Sequence, residues 1–403
     1  MNYPPSEGPL AGVRIIELAN IIAGPTAGQI LGDFGAEVIK IEHPDGGDGS
    51  RRQGRQKNGV PLWWKILGRN KRSVGMYLGD PDAAEIFCRL VATADVVVEG
   101  FRPGTMERWN LGYDRLVQAN PRIIFVRLSG FGQTGPYAHR PAFGTNIESM
   151  TGYSHLNGPP DGPPTLPPFG TGDYFAGVTV TSAILMALYH RDAKGGSGQV
   201  VDASLFQPLM MTMARPVIHY DQLGFEETRT GNQSDGTAPR NAYLTKDKRW
   251  IAVSAATYQI AEKIMAMVGR PEFAKEPWFR TNAGRVQHGQ VLDEAVRIWI
   301  ETRTAEEVMA ASQEAQVTFA PMYDVPDMLS DVHVRETGMI AEVKDDDFGK
   351  VRMPNVLFKM SETPGRIRWA GQTLGASTDS VLVDELGVDP GDISRLRKRG
   401  VVR

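Results

Sequence analysis

The chain has few of the residues that support cross-linking, metal binding or nucleic-acid binding. Its 403 residues include one cysteine, Cys88, which excludes an intramolecular disulfide and a cysteine-based zinc cluster. The seven histidines are scattered without HExxH or other ligand spacing, so no metal site is expected. A net charge of −3 leaves no basic excess for a nucleic acid. The GxSxG, Walker A and kinase motifs are absent as well.

Targeting signals and long apolar runs are also missing. The first residues, MNYPPSEGPLAG, lack the basic stretch and apolar run of a secretory signal. The helical run around Ile184 has fewer than about 18 consecutive apolar residues, which favours a packed core over a membrane span. With 41% apolar and 23% charged residues, the composition is that of a soluble globular protein, and the cytoplasm is the expected compartment. The length favours two or three domains.

Short apolar strands alternate with helices in the first 130 residues. Strands are predicted at 13–18, 37–41, 73–77, 96–98 and 123–128, and helices at 25–34, 81–92 and 113–119. This alternation indicates βαβ units and an α/β domain with a Rossmann-like parallel sheet. A strand VVDASL follows further along the chain, after the turn GGSGQ.

A dinucleotide site is only weakly indicated in this domain. The first turn reads ANIIAGPTAG and lacks GxGxxG, so Glu42 at the end of the second strand has no glycine fingerprint before it. Ligands of open α/β sheets nevertheless bind beyond the carboxyl ends of the strands. We therefore expect a site among residues 20–25, 42–48, 99–104 and 129–136.

Asp173 is the candidate reacting group. It follows a Gly/Pro-rich approach, DGPPTLPPFGTG, and precedes a helical run over 175–191 in which Phe175, Val178, Leu185 and Leu188 suit a buried helix. A carboxylate at a helix N-terminus is expected to be held ionised by the macrodipole, and it can then serve as a helix cap or as a nucleophile. Position alone favours the cap.

The second half of the chain changes character twice. A polar stretch at 224–239 is typical of a linker, and residues 240–321, with a strand at 250–254 and helices at 258–268 and 292–302, are predicted to form a smaller domain. Beyond 321 the pattern predicts extended segments at 340–343 and 356–360 and a final helix at 379–386.

Spaced motifs along nearly the whole chain resemble those of the class III coenzyme A transferases, the group of formyl-CoA transferase and carnitine CoA-transferase. They are PLAGVRIIELANIIAGPTAGQILGDFGAEVIKIEHPDGGD, RNKRSVGMYL, VVVEGFRPGTMERWNLGYDRLVQANPRIIFVRLSGFGQTGPY, DGPPTLPPFGTGDYFAG and GGSGQVVDASLFQ, in that order. The resemblance implies that Asp173 attacks the thioester of an acyl-CoA donor. A mixed anhydride and then an aspartyl-CoA thioester follow, and a carboxylic acid acceptor finally takes the CoA. Glycine N–H groups at Gly170 and Gly172 are candidates to stabilise the developing charge.

The resemblance also implies an architecture and a substrate, with no permanently bound cofactor. Residues 1–223 and 322–403 would form the large CoA-binding domain, with the small domain between them, and two chains would interlock as a ring-like homodimer. CoA or acyl-CoA would be the ligand. The CoA-contacting positions that carry over are Ile22, Ala23, His43, Gly68, Arg69, Asn70, Lys71, Gly100, Phe101, Arg102, Arg108, Phe143, Gly144 and Thr145. Without the resemblance, the run RNKRS would be interpreted as solvated surface.

Departures from the family pattern narrow the range of expected substrates. Formyl-CoA transferases have glutamine where this chain has Ile22, and their run of four glycines is missing between Asn241 and Ser254, so formyl-CoA and oxalate are not expected substrates. Many members have arginine at His43 and asparagine at Gly100.

Two other functions stay open at this point. In the related 2-methylacyl-CoA racemases a histidine stands where this chain has Phe143, which cannot act as a base, although His139 and His155 are near in sequence. The second alternative is a non-catalytic nucleotide-binding protein in which Asp173 is only a cap.

Overall fold

The computed structural model describes residues 7–403, which divide into two compact units. The larger unit contains the described residues through Tyr153, together with Pro167–Val217 and Arg335–Arg403. The smaller unit contains Ser154–Leu166 and Ile218–Val334. It therefore begins before the polar stretch at 224–239 and includes a separate segment upstream of Asp173.

The apolar strands of the larger unit form a six-stranded parallel sheet in the order β5-β2-β1-β6-β7-β8. The strands are β1 (Arg14–Glu17), β2 (Glu37–Glu42), β5 (Lys71–Gly75), β6 (Val96–Glu99), β7 (Ile124–Ser129) and β8 (Val200–Ser204), and a two-strand ribbon, β3 (Gln56–Lys57) with β4 (Val60–Pro61), precedes β5. This strand order is that of dinucleotide-binding folds. The direction in which successive strands are added to the sheet reverses between β1 and β6. A ligand crevice is expected where the carboxyl ends of these two strands meet.

Ten helices begin in this unit, and an eleventh closes the chain. They are α1 (Ala23–Asp33), α2 (Leu62–Leu67), α3 (Pro81–Val91), α4 (Thr105–Arg108), α5 (Tyr113–Ala119), α6 (Gly144–Met150), α7 (Tyr153–Leu156), α8 (Thr171–Ala193), α9 (Phe206–Met210), α10 (Ala214–Leu223) and the C-terminal α17 (Pro390–Lys398). The helices α7 and α10 continue into the smaller unit.

Alternation along β1 shows how the layers form. Ile15 packs with α1 and α8 on one face of the sheet, whereas Ile16 packs with α3 and α17 on the other. Both isoleucines are fully buried. Because successive strand residues point to opposite faces, a short apolar run of this kind supplies two cores at once.

The helix α8 is buried differently from the prediction. Its core-facing residues include the small Ala176, Gly177 and Ala187 beside Val180 and Ile184, while Phe175, Val178 and Leu185 are exposed and Leu188 is buried as expected. Small residues let α8 approach α1 closely: a Cβ on Gly177 would lie 2.8 Å from the carbonyl oxygen of Ala23. Several large apolar side chains, among them Phe175, Val178 and Leu185, are left on the outer face.

One helix in residues 7–403, α8, is long and apolar enough to cross a membrane. Its place in the fold is that of a core helix, because it packs on α1 and the sheet. Near its C-terminal end Arg191 is buried and paired with Asp95 and Asp192.

The smaller unit is built on a three-stranded antiparallel sheet in the order β11-β10-β9. Its strands are β9 (Arg240–Leu244), β10 (Trp250–Ser254) and β11 (Phe319–Pro321), and its helices are α11 (Tyr258–Met267), α12 (Asn282–Gln287), α13 (Gly289–Glu301), α14 (Ala305–Glu314), α15 (Val325–Ser330) and most of α16 (Val332–Glu336). Ile251, Phe279, Val296 and Val308 form its separate core. Residues 224–239 contain no helix or strand.

The C-terminal segment packs on the larger unit. It forms the hairpin β12 (Ile340–Asp345) and β13 (Gly349–Pro354), and Met76 pairs with Val402 next to the sheet. The prediction of a final helix at 379–386 is right in place, but the helix is of the π type and is not the last one. Ser380–Glu385 is a π-helix, and α17 follows it, capped by the Asp389 side chain. Residues 356–360 form no strand.

Candidate active site

Topology places Asp173 at the carboxyl edge of the sheet. In the sequence, α8 comes between β7 and β8. Because these two strands are parallel, the N-terminus of α8 lies at the edge of the sheet where β7 ends. The helix α1 follows β1 and starts at the same edge. The strand order reverses next to β1, and in folds of this type ligands bind in the crevice at that point. Asp173 lies at this crevice.

Glycines and one isoleucine enclose the Asp173 carboxyl group. A Cβ on Gly170 would lie 2.7 Å from Asp173 Oδ2 and 2.9 Å from Ile22 Cδ1, and a Cβ on Gly144 would lie 2.2 Å from the same oxygen. Ile22 is buried at the start of α1. Any larger residue at either glycine would displace the carboxyl group, so the backbone itself forms the wall of the pocket.

Asp173 does not cap its own helix. Gly170 is the N-cap residue of α8, no side chain bonds to the cap, and Asp173 stands in the first turn. Its carboxyl group instead meets the backbone N–H of Gly144, the first residue of α6. The neighbouring N–H, of Phe143, is satisfied by Asn146 Oδ1 at 3.1 Å. The geometry thus removes the cap as an explanation for Asp173.

Asp173 is less acidic than its helix position predicts. Burial and, after it, the negative charge of Glu148 raise the pKa of Asp173 from 3.8 to about 6, while the Gly144 N–H opposes the shift. The expectation that the helix end holds the carboxylate firmly ionised is therefore wrong in direction, because desolvation outweighs the helix end. At neutral pH most molecules still carry the carboxylate, with a higher basicity than an ordinary aspartate.

Glu148 is the residue that the sequence analysis missed. It is 1% exposed, lies on α6 one turn after Gly144, and accepts a hydrogen bond from the Gly172 N–H at 3.0 Å. Gly172 is consequently not available to a substrate oxygen, which corrects one of the two expected donors. The single acidic residue in the stretch GTNIESM was the sole indication in the sequence. The sequence does not show that its side chain is buried.

A buried charge cluster supports the turn that carries Ile22. The preceding residue, Ile21, has a φ of 73°, a left-handed conformation that β-branched residues avoid, and its N–H donates to Asp48 Oδ1 at 3.0 Å. Lys40 Nζ in turn lies 2.8 Å from Asp48 and 2.9 Å from Glu17. Burial alone would raise the pKa of Asp48, but the charge of Lys40 and hydrogen bonds from Ser50 hold it well below its usual range. The buried charge cluster thus holds the strained turn in place.

Three exposed cationic or titratable residues follow the neighbouring strands. His43 comes after β2, whereas Arg102 and Arg108 come after β6, and no carboxylate pairs with either arginine within residues 7–403. A chain of edge-on aromatic contacts joins the two loops: His43 with Tyr77 at 5.2 Å, Tyr77 with Trp109 at 6.3 Å, and Trp109 with Phe101 at 5.0 Å. This surface combines positive charge with a half-exposed aromatic ring.

Comparisons with known proteins agree on one family. Residues 10–378 match the model of CoA-transferase family III. The chain is 38% identical to a succinyl-CoA–D-citramalate CoA-transferase of Chloroflexus aurantiacus, over 98% of both chains, and 38% identical to the beta subunit of a succinyl-CoA–L-malate CoA-transferase of the same organism, again over 98% of both. A CAIB/BAIF family protein from Brucella suis has the same fold, with a TM-score of 0.82, 29% identity and coverage of 94% of this chain and 99% of that one.

The chain belongs to CoA-transferase family III. It is an enzyme, and the Chloroflexus relatives are named for a CoA thioester together with an acid.

Some of the expected CoA contacts of this transferase lie in its core. Arg69 and Asn70 are buried and both bond to Asp33, and buried Lys71 pairs with Glu17 at 2.7 Å. These side chains hold α1 and β1 together and are not free for a phosphate. The interpretation of RNKRS as solvated surface is wrong for the same reason. Charged residues can be buried when each is paired, and here the partners lie far away in sequence.

The other expected contacts of the transferase lie around the strand ends. Ala23 is buried against α8, Gly68 packs between Trp64 and Gly371, and Gly100 lies against Ala19 at the end of β6. The N–H of Phe101 donates to Glu99 Oε2 at 2.6 Å. Thr145 is exposed in the first turn of α6.

Phe143 bears on the racemase alternative. It is 64% exposed beside Gly144, and it supplies no titratable proton next to Asp173. His139 is exposed in the same loop, and within the described chain no histidine charge perturbs Asp173. The geometry brings Gly144, Ile22 and Asp173 together.

Proposed function

We propose that the transferase moves CoA from an acyl-CoA donor to a carboxylic acid through covalent intermediates on Asp173. The observation that carries this proposal is the Asp173 carboxyl group itself. It lies at the crevice edge of the sheet, has no capping role, and is bordered by glycine backbone rather than by side chains that would block a thioester.

The covalent steps follow from the chemistry of that carboxylate. An Asp173 oxygen attacks the thioester carbonyl carbon, the C–S bond breaks, and the CoA thiolate leaves a mixed anhydride behind. The thiolate then attacks the aspartyl carbonyl and releases the donor acid, which leaves an aspartyl-CoA thioester. The acceptor carboxylate repeats the two steps in reverse order, and this frees Asp173 and the new acyl-CoA. Each exchange replaces one acyl bond by another, so no oxidant or cofactor is needed.

The Gly170 N–H is the remaining candidate to stabilise the oxyanion. In residues 7–403 it has no hydrogen-bond partner, whereas the Gly172 N–H is occupied by Glu148. A free backbone donor beside the reacting carboxyl group is the element that such a transition state uses. The half-buried pocket also limits the access of water to the anhydride.

The exposed surface of His43, Tyr77, Arg102 and Arg108 is proposed to bind the phosphates and adenine of CoA. Two unpaired arginines offer charge-assisted hydrogen bonds to phosphate, and the half-exposed Tyr77 ring offers a face for a base. Ile22, Ala23, Gly100, Phe101, Phe143, Gly144 and Thr145 would line the path from there toward Asp173.

The acid substrates are proposed to be short dicarboxylic acids. Both Chloroflexus relatives are named for succinyl-CoA together with a hydroxylated dicarboxylic acid, and they match this chain over nearly its whole length. The apolar Ile22 beside Asp173 is proposed to contact an acyl group larger than formyl.

The outer face of α8 supports a homodimer, which we propose to be interlocked as the family resemblance implies. Phe175, Val178, Leu185, Met186 and Tyr189 are all exposed, and together they form an apolar stripe of the kind that a partner covers. Light scattering should give twice the chain mass of 44.2 kDa, and a monomer at working concentration would contradict this proposal. The cytoplasm remains the proposed compartment.

Trapping of the intermediate tests the function. The enzyme is incubated with succinyl-CoA and then treated with hydroxylamine or borohydride, and peptides are mapped by mass spectrometry. We expect modification at Asp173 and loss of turnover in Asp173→Asn. The matched control is Asp114→Asn, because Asp114 also stands in the first turn of a helix, α5, but is exposed. Full turnover by Asp173→Asn would refute the proposal.

A further inference from the structure

A second carboxylate shares the pocket of Asp173. Measured from a Cβ on Gly144, Asp173 Oδ2 lies at 2.2 Å and Glu148 Oε1 at 3.6 Å. The two oxygens are therefore no more than roughly 6 Å apart, which is within the range over which like charges affect one another. Glu148 is nearly inaccessible to solvent.

The α6 and α8 helices hold these carboxylates reciprocally. The first N–H of α6, from Gly144, faces the carboxyl group of Asp173 on α8. The second N–H of α8, from Gly172, donates to the carboxylate of Glu148 on α6. Each helix thus directs an N-terminal N–H toward the carboxyl group that the other carries, and the two side chains are fixed relative to each other.

No cation neutralises the pair in residues 7–403: neither carboxylate forms a salt bridge with lysine, arginine or histidine. The groups that face Asp173 are the Gly144 N–H and Glu148 from α6, Gly170 from the loop before α8, and Ile22 from the turn before α1. Glu148 itself faces Gly172 and Leu209. A buried carboxylate without a cation is uncommon, because desolvation then goes uncompensated.

We propose that Glu148 is a positioning residue that fixes the first turn of α8 and, through its negative charge, destabilises the resting Asp173 carboxylate so that attack on the thioester relieves the repulsion. The proposal rests on the assignment of Asp173 as the nucleophile.

The direction of the effect follows from where the charge goes. During attack the negative charge of Asp173 moves onto the thioester oxygen and then leaves with the CoA thiolate. The repulsion between Glu148 and Asp173 is therefore present in the ground state and absent in the anhydride, which lowers the barrier for acylation. In the final step the charge returns to Asp173, so the same repulsion slows release. Glu148 is expected to favour the covalent intermediates.

Glu148→Gln and Glu148→Asp separate charge from structure. Glutamine keeps the carbonyl oxygen that accepts from the Gly172 N–H and nearly the same volume, but it removes the charge. Aspartate keeps the charge but is one methylene too short to maintain the hydrogen bond. A purely structural role predicts that glutamine is the better replacement, whereas the proposed role predicts that aspartate preserves the basicity of Asp173 better.

The first readout is the protonation of Asp173, measured without turnover. Carbodiimide and an amine label protonated carboxyl groups, and peptide mass spectrometry follows the Asp173 peptide as a function of pH, with Asp173→Asn as the blank. In the wild-type enzyme the midpoint should lie near pH 6. In Glu148→Gln we expect the proton affinity to fall by about tenfold, and in Glu148→Asp by less. An unmoved midpoint in folded Glu148→Gln would overturn the proposal.

The second readout is the single-turnover rate of acylation by succinyl-CoA at pH 8. Glu148→Gln should slow it by about threefold with KM nearly unchanged, because nucleophilicity follows only part of the basicity. A faster or equal rate would also overturn the proposal. If Asp173 proves not to be the nucleophile, substrate trapping fails while the carbodiimide midpoint still moves, so the two failures are distinguishable. If Glu148→Gln does not fold, Glu148→Asp alone decides: a midpoint at the value expected for free aspartate would refute the role of the charge.

Discussion

Replacing Asp173 by asparagine should make the folded transferase more stable above about pH 6, even though it removes the proposed nucleophile. Burial and Glu148 raise the pKa of Asp173 from 3.8 to about 6, so the folded state binds this proton more tightly than the unfolded chain does. Below the lower of these two pKa values, Asp173 is protonated in both the folded and the unfolded state, so it does not change the free energy of unfolding. As the pH rises between these two pKa values, Asp173 ionises first in the unfolded chain, and the free energy of unfolding falls. Above the higher pKa value the whole destabilisation is present.

The size of the effect follows from the shift. About two pKa units at about 1.4 kcal/mol each set a ceiling near 3 kcal/mol. Because the carboxyl group of Asp173 is only half-buried, solvent reduces this to about 1–2 kcal/mol. Asparagine can turn its carbonyl oxygen toward the Gly144 N–H and its amide toward Glu148, so the substitution introduces no unsatisfied group. For the larger unit of about 270 residues the gain corresponds to a Tm increase of roughly 2–4 °C.

Thermal unfolding of the wild type and of Asp173→Asn between about pH 4 and pH 8 measures this directly. The difference in Tm should be near zero at the acid end, grow through pH 5–6, and level off. Asp114→Asn, at an exposed position in the first turn of α5, should show no such growth. A helix cap would leave the stability nearly unchanged at every pH, because asparagine caps a helix about as well as aspartate does. A less stable Asp173→Asn at pH 8, or a difference that does not change with pH, would refute the reasoning.

Two further substitutions test the pocket and the CoA surface. Gly144→Ala places a Cβ 2.2 Å from Asp173 Oδ2, so the carboxyl group must move, and kcat should fall by about a hundredfold with the protein still folded; near-normal kcat would contradict the packing. Arg102→Ala should raise KM for acyl-CoA by about tenfold at low salt with kcat little changed, as for one lost phosphate contact. Arg122→Ala, which removes an exposed arginine paired with Asp192, is the control, and an equal effect there would exclude a specific site.

The sheet and the place of the site could be predicted because they depend on local patterns. Ile15 and Ile16 show the period of a two-faced strand, and strands and helices alternate through the first 130 residues. Since connections between parallel strands are right-handed and ligands bind at the carboxyl ends, the loop at Ile22 was identified as part of a site without any contact being known.

The side-chain partners could not be predicted, because they depend on contacts between distant residues. The run RNKRS has the composition of a solvated surface, yet Arg69 and Asn70 meet Asp33 about 36 residues earlier and Lys71 meets Glu17 on another strand. The exposed face of α8 could not be predicted either. Apolar residues lie on both its buried and its exposed side, so the sequence does not show which side faces the core until the distance to α1 is known.

The reactivity of Asp173 is likewise a tertiary property. A helix N-terminus alone contributes up to about 1 kcal/mol in favour of the ionised form, which would lower the pKa. The observed direction is the reverse, and the shift of about two units requires opposing terms worth several kcal/mol, namely burial and the charge of Glu148. Neither term is local to the sequence around Asp173, since Glu148 belongs to α6 and the enclosing Ile22 belongs to the turn after β1. The motif identifies the residue that we propose to react, whereas the packing of three separate segments determines the basicity of its carboxylate.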